Sequence, residues 1–180
     1  MKLFIASDIH GSKYYAEKIK EMYNQENSDK IILLGDLYYH GPRNPLTNEY
    51  EPMEVAKILN SLKDNMLVVK GNCDAEVDEM ISEFSFQDKI ILEVNGLKIF
   101  FTHGHKYNMN VLPKEEIDML IYGHFHTGFI KKEKGIIFAN AGSVSLPKNG
   151  TRNSYLIIDE QEILLKDINN GEIIEKMELK

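Results

Sequence analysis

The stretch Lys30-Ile31-Ile32-Leu33-Leu34-Gly35-Asp36 limits the fold more than any other. Four consecutive apolar residues read as a strand buried on both faces. A carboxylate just beyond such a strand cannot stay in the core unpaired, because burying an isolated charge is costly. It must meet a solvated rim, a cationic partner or a metal. Taken alone, Gly35-Asp36 is an ordinary turn, so its meaning depends on what the neighbouring strands bring to the same rim.

The segments around it alternate. Lys2 to Ala6 is a short apolar run ending in Ser7-Asp8-Ile9-His10-Gly11. A helix is predicted from an N-cap at Ser12 to about Asn24, with Tyr15, Ile19, Met22 and Tyr23 on one buried stripe. Leu37 to Glu51 holds Gly41, Pro42 and Pro45 and reads as a long loop, the kind that is often functional. A second helix is predicted from Pro52, turning Val55, Ile58, Leu59 and Leu62 inward. Met66 to Val69 is a third strand, ending in Lys70-Gly71-Asn72-Cys73-Asp74. Strand, helix, strand, helix, strand implies an α/β sheet with parallel strands.

The second half reads as β-rich. Lys89–Val94 and Leu97–Phe101 form a predicted hairpin around Asn95-Gly96. A short helix is expected after Pro113, then a strand over Asp118–Tyr122. Gly128–Lys132 and Ile136–Ala139 form an antiparallel pair, and Ser154–Asp159, Glu162–Asp167 and Glu172–Glu178 a meander. The expectation is two packed sheets with helices outside, in a single domain over residues 1–180.

Bulk properties narrow the function classes. A net charge of −7 argues against a broad polyanion-binding face, so no extended nucleic-acid partner is expected. The apolar run at the start is too short for a leader or a membrane span. The single cysteine, Cys73, rules out an internal disulfide and suits a reducing cytoplasm.

The residues just beyond the apolar strands form a chemical set. They are Asp8 and His10, Asp36, Asn72 to Asp74, His103 and His105, and His124 and His126. Five of the six histidines fall in these segments. In open α/β sheets the ligand crevice lies at the carboxyl ends of strands. Neutral imidazole nitrogens, bridging carboxylates and an amide oxygen suit manganese, iron, zinc or nickel. The absence of a thiolate-rich set disfavours a closed structural zinc site.

The segments Asp8-Ile9-His10, Gly35-Asp36, Gly71-Asn72-Cys73-Asp74, Thr102-His103-Gly104-His105 and Gly123-His124-Phe125-His126 resemble the calcineurin-like metallophosphoesterases, and more closely the YfcE-type bacterial phosphodiesterases. His40-Gly41-Pro42-Arg43-Asn44 and Asn140 to Ser145 extend the resemblance over nearly the whole chain. It implies a four-layer α/β/β/α sandwich. It implies one divalent metal held by Asp8, His10 and His126 and another by Asn72, His103 and His124. Asp36 would bridge both, and a bridging hydroxide would attack phosphorus in line to cleave small organic phosphodiesters. Manganese is the expected metal, with nickel, iron or zinc as alternatives. A homo-oligomer is implied because relatives form them.

The candidate catalytic residues are Asp36, Asn72, Cys73 and His103. Many family members carry histidine where this chain has Cys73, as a general acid for the leaving oxygen. A pocket-lining thiol is the simpler reading of Cys73, which leaves diesters and activated aryl esters as the expected substrates. Arg43, His40, His105 and Asn108 are candidate substrate contacts, with a solvated loop arginine an equal reading of Arg43. Asp74 could orient a neighbour or a ligand, with an exposed turn residue the simpler reading, and Tyr38, Tyr39 and Tyr107 are candidate pocket walls, with core or dimer packing an equal reading. The alternatives are a phosphomonoesterase on the same metals and a catalytically silent interaction scaffold of the same fold.

Overall fold

A computed structural model, which describes residues 1–179, stacks two sheets face to face. The first half supplies β1 (Leu3–Ala6), α1 (Lys13–Glu26), β2 (Lys30–Leu33), α2 (Pro52–Asn60), β3 (Met66–Val69) and the two-residue β4 (Phe86–Gln87). The second supplies β5 (Ile90–Val94), β6 (Leu97–Phe101), β7 (Met119–Tyr122), β8 (Phe129–Glu133) and β9 (Ile136–Asn140). Last come β10 (Ser154–Ile158), β11 (Glu162–Asp167) and β12 (Ile173–Glu178). The larger sheet runs β12-β11-β10-β1-β2-β3-β4 and the smaller β5-β6-β7-β9-β8.

The apolar runs have no polar face because both faces are covered. In β1, Phe4 and Ala6 point into a core with α1 and α2, while Leu3 and Ile5 point into the core between the sheets. In β2, Ile31 and Leu33 take the helix side and Ile32 the sheet side. Helix α1 begins where its sequence dictates: the Ser12 hydroxyl accepts from the Tyr15 N–H at 3.3 Å. It ends two residues beyond the predicted stop, at Glu26, because Asn27 adopts a left-handed conformation (φ 49°).

Three expectations change. The final meander does not stay with the second half. β10 pairs antiparallel with β1, Leu3 opposite Ile158, and extends the first sheet. That placement sends Leu156 and Ile158 into the inter-sheet core and Tyr155 and Ile157 toward the helices. No helix follows Pro113; the segment is irregular up to β7. Between Pro113 and β7 there is too little chain for a stable helix, and Asp118 is committed to Lys98: its N–H donates to the Lys98 carbonyl at 2.9 Å and its carboxylate accepts from the Lys98 N–H at 2.8 Å. The outer layer over the second sheet is therefore a loop, with Tyr107, Met109 and Ile117 packed on Phe100, Leu120, Tyr122 and Phe138. β4, parallel to β3, was unread because two residues carry no periodicity. No helix among the described residues is long and apolar enough to cross a membrane.

Within the first sheet β1, β2 and β3 run parallel, and within the second β6, β7 and β9 do. Their carboxyl ends meet at one rim, where the loops after β1, β2, β3, β6 and β7 converge.

Candidate metal centre

Two groups of hydrogen-bond acceptors face inward at this rim. In the first, His10 Nε2 and His126 Nε2 lie 3.2 Å apart, and Asp8 Oδ1 lies 3.6 and 3.2 Å from them. In the second, His103 Nε2 lies 3.0 Å from Asn72 Oδ1 and 3.2 Å from His124 Nδ1. Asp36 stands between the groups. Its Oδ2 is 3.7 Å from His10 Nε2 and 3.4 Å from His103 Nε2.

The tautomers follow from what lies behind each ring. His10 Nδ1 is 2.7 Å from the Tyr39 carbonyl, His103 Nδ1 2.7 Å from that of Leu34, and His126 Nδ1 2.7 Å from that of Leu146. A carbonyl only accepts, so each Nδ1 carries the proton and donates. Each Nε2 of the neutral ring then presents a lone pair to the centre. Such back-side donation orients metal-binding imidazoles. Lone pairs at these separations repel unless a positive charge sits among them. Asp8 Oδ1 sharpens the point, since it is buried with no hydrogen-bond partner. Its other oxygen is fully occupied, by the Ser7 hydroxyl at 2.6 Å and the His124 N–H at 2.9 Å.

The chain accepts backbone strain to build this arrangement. Asp8, His10, Asp36, His124 and His126 all have positive φ, between 50° and 66°. Left-handed conformations are uncommon for residues with a Cβ and cluster at functional sites. Glycines clear the space. A Cβ on Gly71 would stand 2.1 Å from Asp36 Oδ1, and one on Gly123 2.6 Å from Asp8 Oδ2.

Burial and mutual interaction set the charges of the centre's own groups. Burial opposes the ionised form of Asp8, but the close imidazoles of His10, His126 and His103 override it and hold the carboxyl well below the usual range. Burial likewise opposes ionisation of Asp36, and His103 overrides it. Burial works against charge on His103, yet Asp36 and Asp8 bring its pKa up to about 9. His10 is also raised, against its burial, chiefly by Asp8. His124 goes the other way: burial, and then the charge on His103, lower it to about 4 and keep the ring neutral. The protein's own groups push Cys73 up to about 12, through burial first and then Asp36. Its thiol stays protonated beside Asn72 Nδ2, at 3.3 Å.

The donor chemistry fits two divalent cations. Asp8, His10 and His126 form one cluster with metal-ligand spacing, and Asp8, Asp36 and His103 another. Mixed nitrogen and oxygen sets of this kind suit first-row divalent ions.

The remaining site residues divide. Arg43 lines a cavity of about 740 Å³ above the centre, together with Asn72, Cys73 and Tyr39. His40, His105 and Asn108 are not among its lining residues. His40 braces its own loop, meeting the Asn44 carbonyl at 3.2 Å, while Asn108 donates to the Gly104 carbonyl at 3.0 Å. The His105 ring lies 6.1 Å from that of His124, on the flank of the second group. Tyr38 is buried with its hydroxyl against Ser82, and Tyr107 packs under the second sheet on Phe100, so only Tyr39 of the three tyrosines walls the cavity.

Asp74 is buried, not an exposed turn residue. It accepts N–H groups from Asp36 and Leu37 at 2.8 Å each and from Gly71 at 2.7 Å, so it ties the loop after β2 to the loop after β3. Burial, with Asp36 nearby, pushes it up to about 6 against those three donors. Its place in Gly71-Asn72-Cys73-Asp74 was the available signal, read the wrong way. Ser143 and Ser145 were also missed; both hydroxyls donate to the Asp8 carbonyl, at 2.8 and 2.9 Å. Their sequence signal is their place in Asn140 to Ser145, a segment of the resemblance to which no role was attached.

Known proteins share this architecture. The chain is 38% identical to the phosphodiesterase YfcE of Escherichia coli K12 over 97% of this chain and 96% of that one. A solved structure of YfcE, described as a phosphoesterase from E. coli, superposes with a TM-score of 0.96 at 35% identity over the full length of both. Vps29 of Entamoeba histolytica, solved in complex with zinc, covers both chains fully with a TM-score of 0.65 at 19% identity, a likeness of fold alone. The family model for the calcineurin-like phosphoesterase superfamily domain matches residues 1–162. With acceptor groups converging on one rim and the family pattern running through nearly the whole chain, this protein belongs to the calcineurin-like phosphoesterase superfamily.

Proposed function

We propose that the chain is a phosphodiesterase acting on small organic phosphodiesters at two divalent cations. Asp8, His10 and His126 hold one, Asn72, His103 and His124 hold the other, and Asp36 touches both. The observation that carries this reading is the single oxygen Asp36 Oδ2, which faces a histidine of each group at 3.7 and 3.4 Å. The 38% identity to a named phosphodiesterase supports the substrate class.

When bound by these residues, two divalent cations would supply Lewis acidity toward a phosphoryl group and toward water near neutral pH. The residues supply the rest. Cys73 N–H donates to Asp36 Oδ1 at 2.8 Å, which aims Oδ2 at the centre. Three backbone carbonyls lock His10, His103 and His126 in the tautomer that binds metal. Arg43 lines the cavity with a guanidinium fork suited to an anionic group of the substrate. With a neutral thiol in place of a stronger acid, Cys73 gives little help to a poor leaving group. That disfavours alkyl monoesters relative to diesters with good leaving groups. Manganese is the proposed metal, with nickel, iron or zinc as alternatives. The proposed setting is the cytoplasm, and the proposed assembly a homo-oligomer.

The test is turnover by metal-reconstituted protein of bis(p-nitrophenyl) phosphate against p-nitrophenyl phosphate. The diester should be cleaved faster. Protein that binds none of these metals and cleaves neither ester overturns the reading.

A further inference from the structure

Two cationic side chains line the cavity, Arg43 and Lys148, on separate loops. Neither forms an ion pair among the described residues. Both are tied to the same group of acceptors. The carbonyl that holds His10 belongs to Tyr39, at the start of the turn that carries Arg43. The carbonyl that holds His126 belongs to Leu146, at the start of the turn that carries Lys148. Each loop thus orients one histidine of the Asp8–His10–His126 group and then delivers a cation to the cavity above it.

The Lys148 turn is firmly built. Lys148 N–H donates to the His126 carbonyl at 2.9 Å, and the Thr151 hydroxyl reaches the same carbonyl at 3.3 Å. Asn149 Nδ2 donates to Thr127 Oγ1 at 3.0 Å, and Thr151 N–H closes the turn on the Lys148 carbonyl at 3.0 Å. The Arg43 turn is closed by Asn44 N–H on the Gly41 carbonyl at 3.3 Å and by Asn44 Nδ2 on the His40 carbonyl at 2.8 Å. Both turns therefore have hydrogen-bonded backbones, and both contribute a cationic side chain to the same cavity lining.

A charge count says what they are for. The carboxylates of Asp8 and Asp36, a bridging hydroxide and a singly charged phosphodiester would together just balance two divalent cations. Adding Arg43 and Lys148 leaves the cavity cationic in an otherwise acidic chain of net charge −7. A field of that sign selects ligands with more negative charge than one phosphodiester brings.

We infer that Arg43 and Lys148 form an anion subsite beside the Asp8–His10–His126 group, selecting phosphodiesters whose non-leaving alcohol carries a second acidic group, a carboxylate or a phosphate. This rests on the phosphodiesterase reading above and adds the substrate class. Lys148 has no place in any sequence motif here; only the fold brings it into the same cavity lining as Arg43.

Binding and turnover test it separately. Calorimetric titration of the metal-loaded protein with 3-phosphonopropionate and with propylphosphonate compares two non-hydrolysable ligands that differ by one carboxylate. The carboxylate-bearing ligand should bind about tenfold more tightly, with Lys148→Gln and Arg43→Gln each cutting that preference severalfold. In parallel, kcat/KM should favour p-nitrophenyl 2-carboxyethyl phosphate over p-nitrophenyl propyl phosphate, with the ratio falling toward one in the double variant. Equal binding of the two phosphonates, or a preference untouched by both substitutions, overturns the subsite. So does an equal loss on both esters, which would assign the two cations to the reacting phosphoryl group. Failure of the metal-loaded protein to cleave either ester counts against the phosphodiesterase reading, and the titration then decides the subsite by itself.

Discussion

The two ends of β1 carry buried charge in opposite ways. At its start, Glu26 is nearly enclosed and every oxygen is answered. Oε1 accepts from Lys166 and, at 2.8 Å, from the Tyr155 hydroxyl, and Oε2 accepts from Lys2 at 2.9 Å. At its finish, Asp8 Oδ1 is buried without a donor and imidazole lone pairs point at one another. The first cluster is complete within the chain. The second is completed only by added positive charge. A closed polar network adds to stability, whereas an open one marks a binding site. Positive φ is concentrated at the open cluster, at Asp8, His10, Asp36, His124 and His126, whereas beside Glu26 it occurs at the helix cap Asn27.

The sharpest way to break this contrast is Asp36→Ala. Activity should fall by about a thousandfold or more, because the oxygen shared by both groups is lost. The metal-free variant should melt only a little lower than the metal-free parent, because the lost Cys73 N–H and His103 partners are partly offset by relief of crowding with Asp8. A large drop in the melting temperature of the metal-free variant would place Asp36 with Glu26 as a structural charge.

Asp74→Ala tests whether the loops must be held for the centre to form. Metal affinity should fall about 10- to 100-fold by calorimetry, the usual cost of losing a supporting residue behind a ligand. Unchanged affinity would make Asp74 a local turn brace.

Acidity should separate the two clusters as well. Metal competes with the proton that Asp36 and Asp8 hold on His103, whose pKa is about 9. Affinity should therefore rise as pH rises toward 9, by up to about tenfold per unit for each proton released, with proton release visible in the calorimeter. Glu26 behaves in the opposite regime. Burial opposes its charge, but Lys166, Lys2 and Tyr155 override that and lower its pKa. Its contribution to stability is thus present above the carboxyl's unfolded value and lost as pH falls through the lowered one.

The smallest effect is expected at the closed cluster. Glu26→Gln should cost about 1 to 2 kcal/mol in denaturant unfolding and leave metal affinity unchanged. A matching loss of metal binding would mean the two ends of β1 are coupled.

The rim was legible in the sequence and the far end was not. Each ligand type sits within a few residues of an apolar run, so parallel strands alone bring them together. Glu26, Tyr155 and Lys166 lie on α1, β10 and β11, and nothing local announces that the last meander returns to β1. That return depends on which edge of the first sheet stays open, a tertiary matter. The missing helix after Pro113 has a similar cause: the outer face of the second sheet is sealed by Tyr107, Met109 and Ile117 from a loop, whose scattered apolar residues have no period. Asp74 and Lys148 were hidden because burial and cavity placement are properties of neighbours. Asp74 looks like any turn acid until three N–H groups close on it.

The central claim is that Asp36 joins two metal sites, and a metal count tests it most directly. Protein loaded with manganese and freed of excess should contain two ions per chain by elemental analysis, and Asp36→Asn should lose at least one of them with nearly all diesterase activity. Two ions retained in Asp36→Asn with full activity, or a fully active parent holding a single ion, would contradict the account.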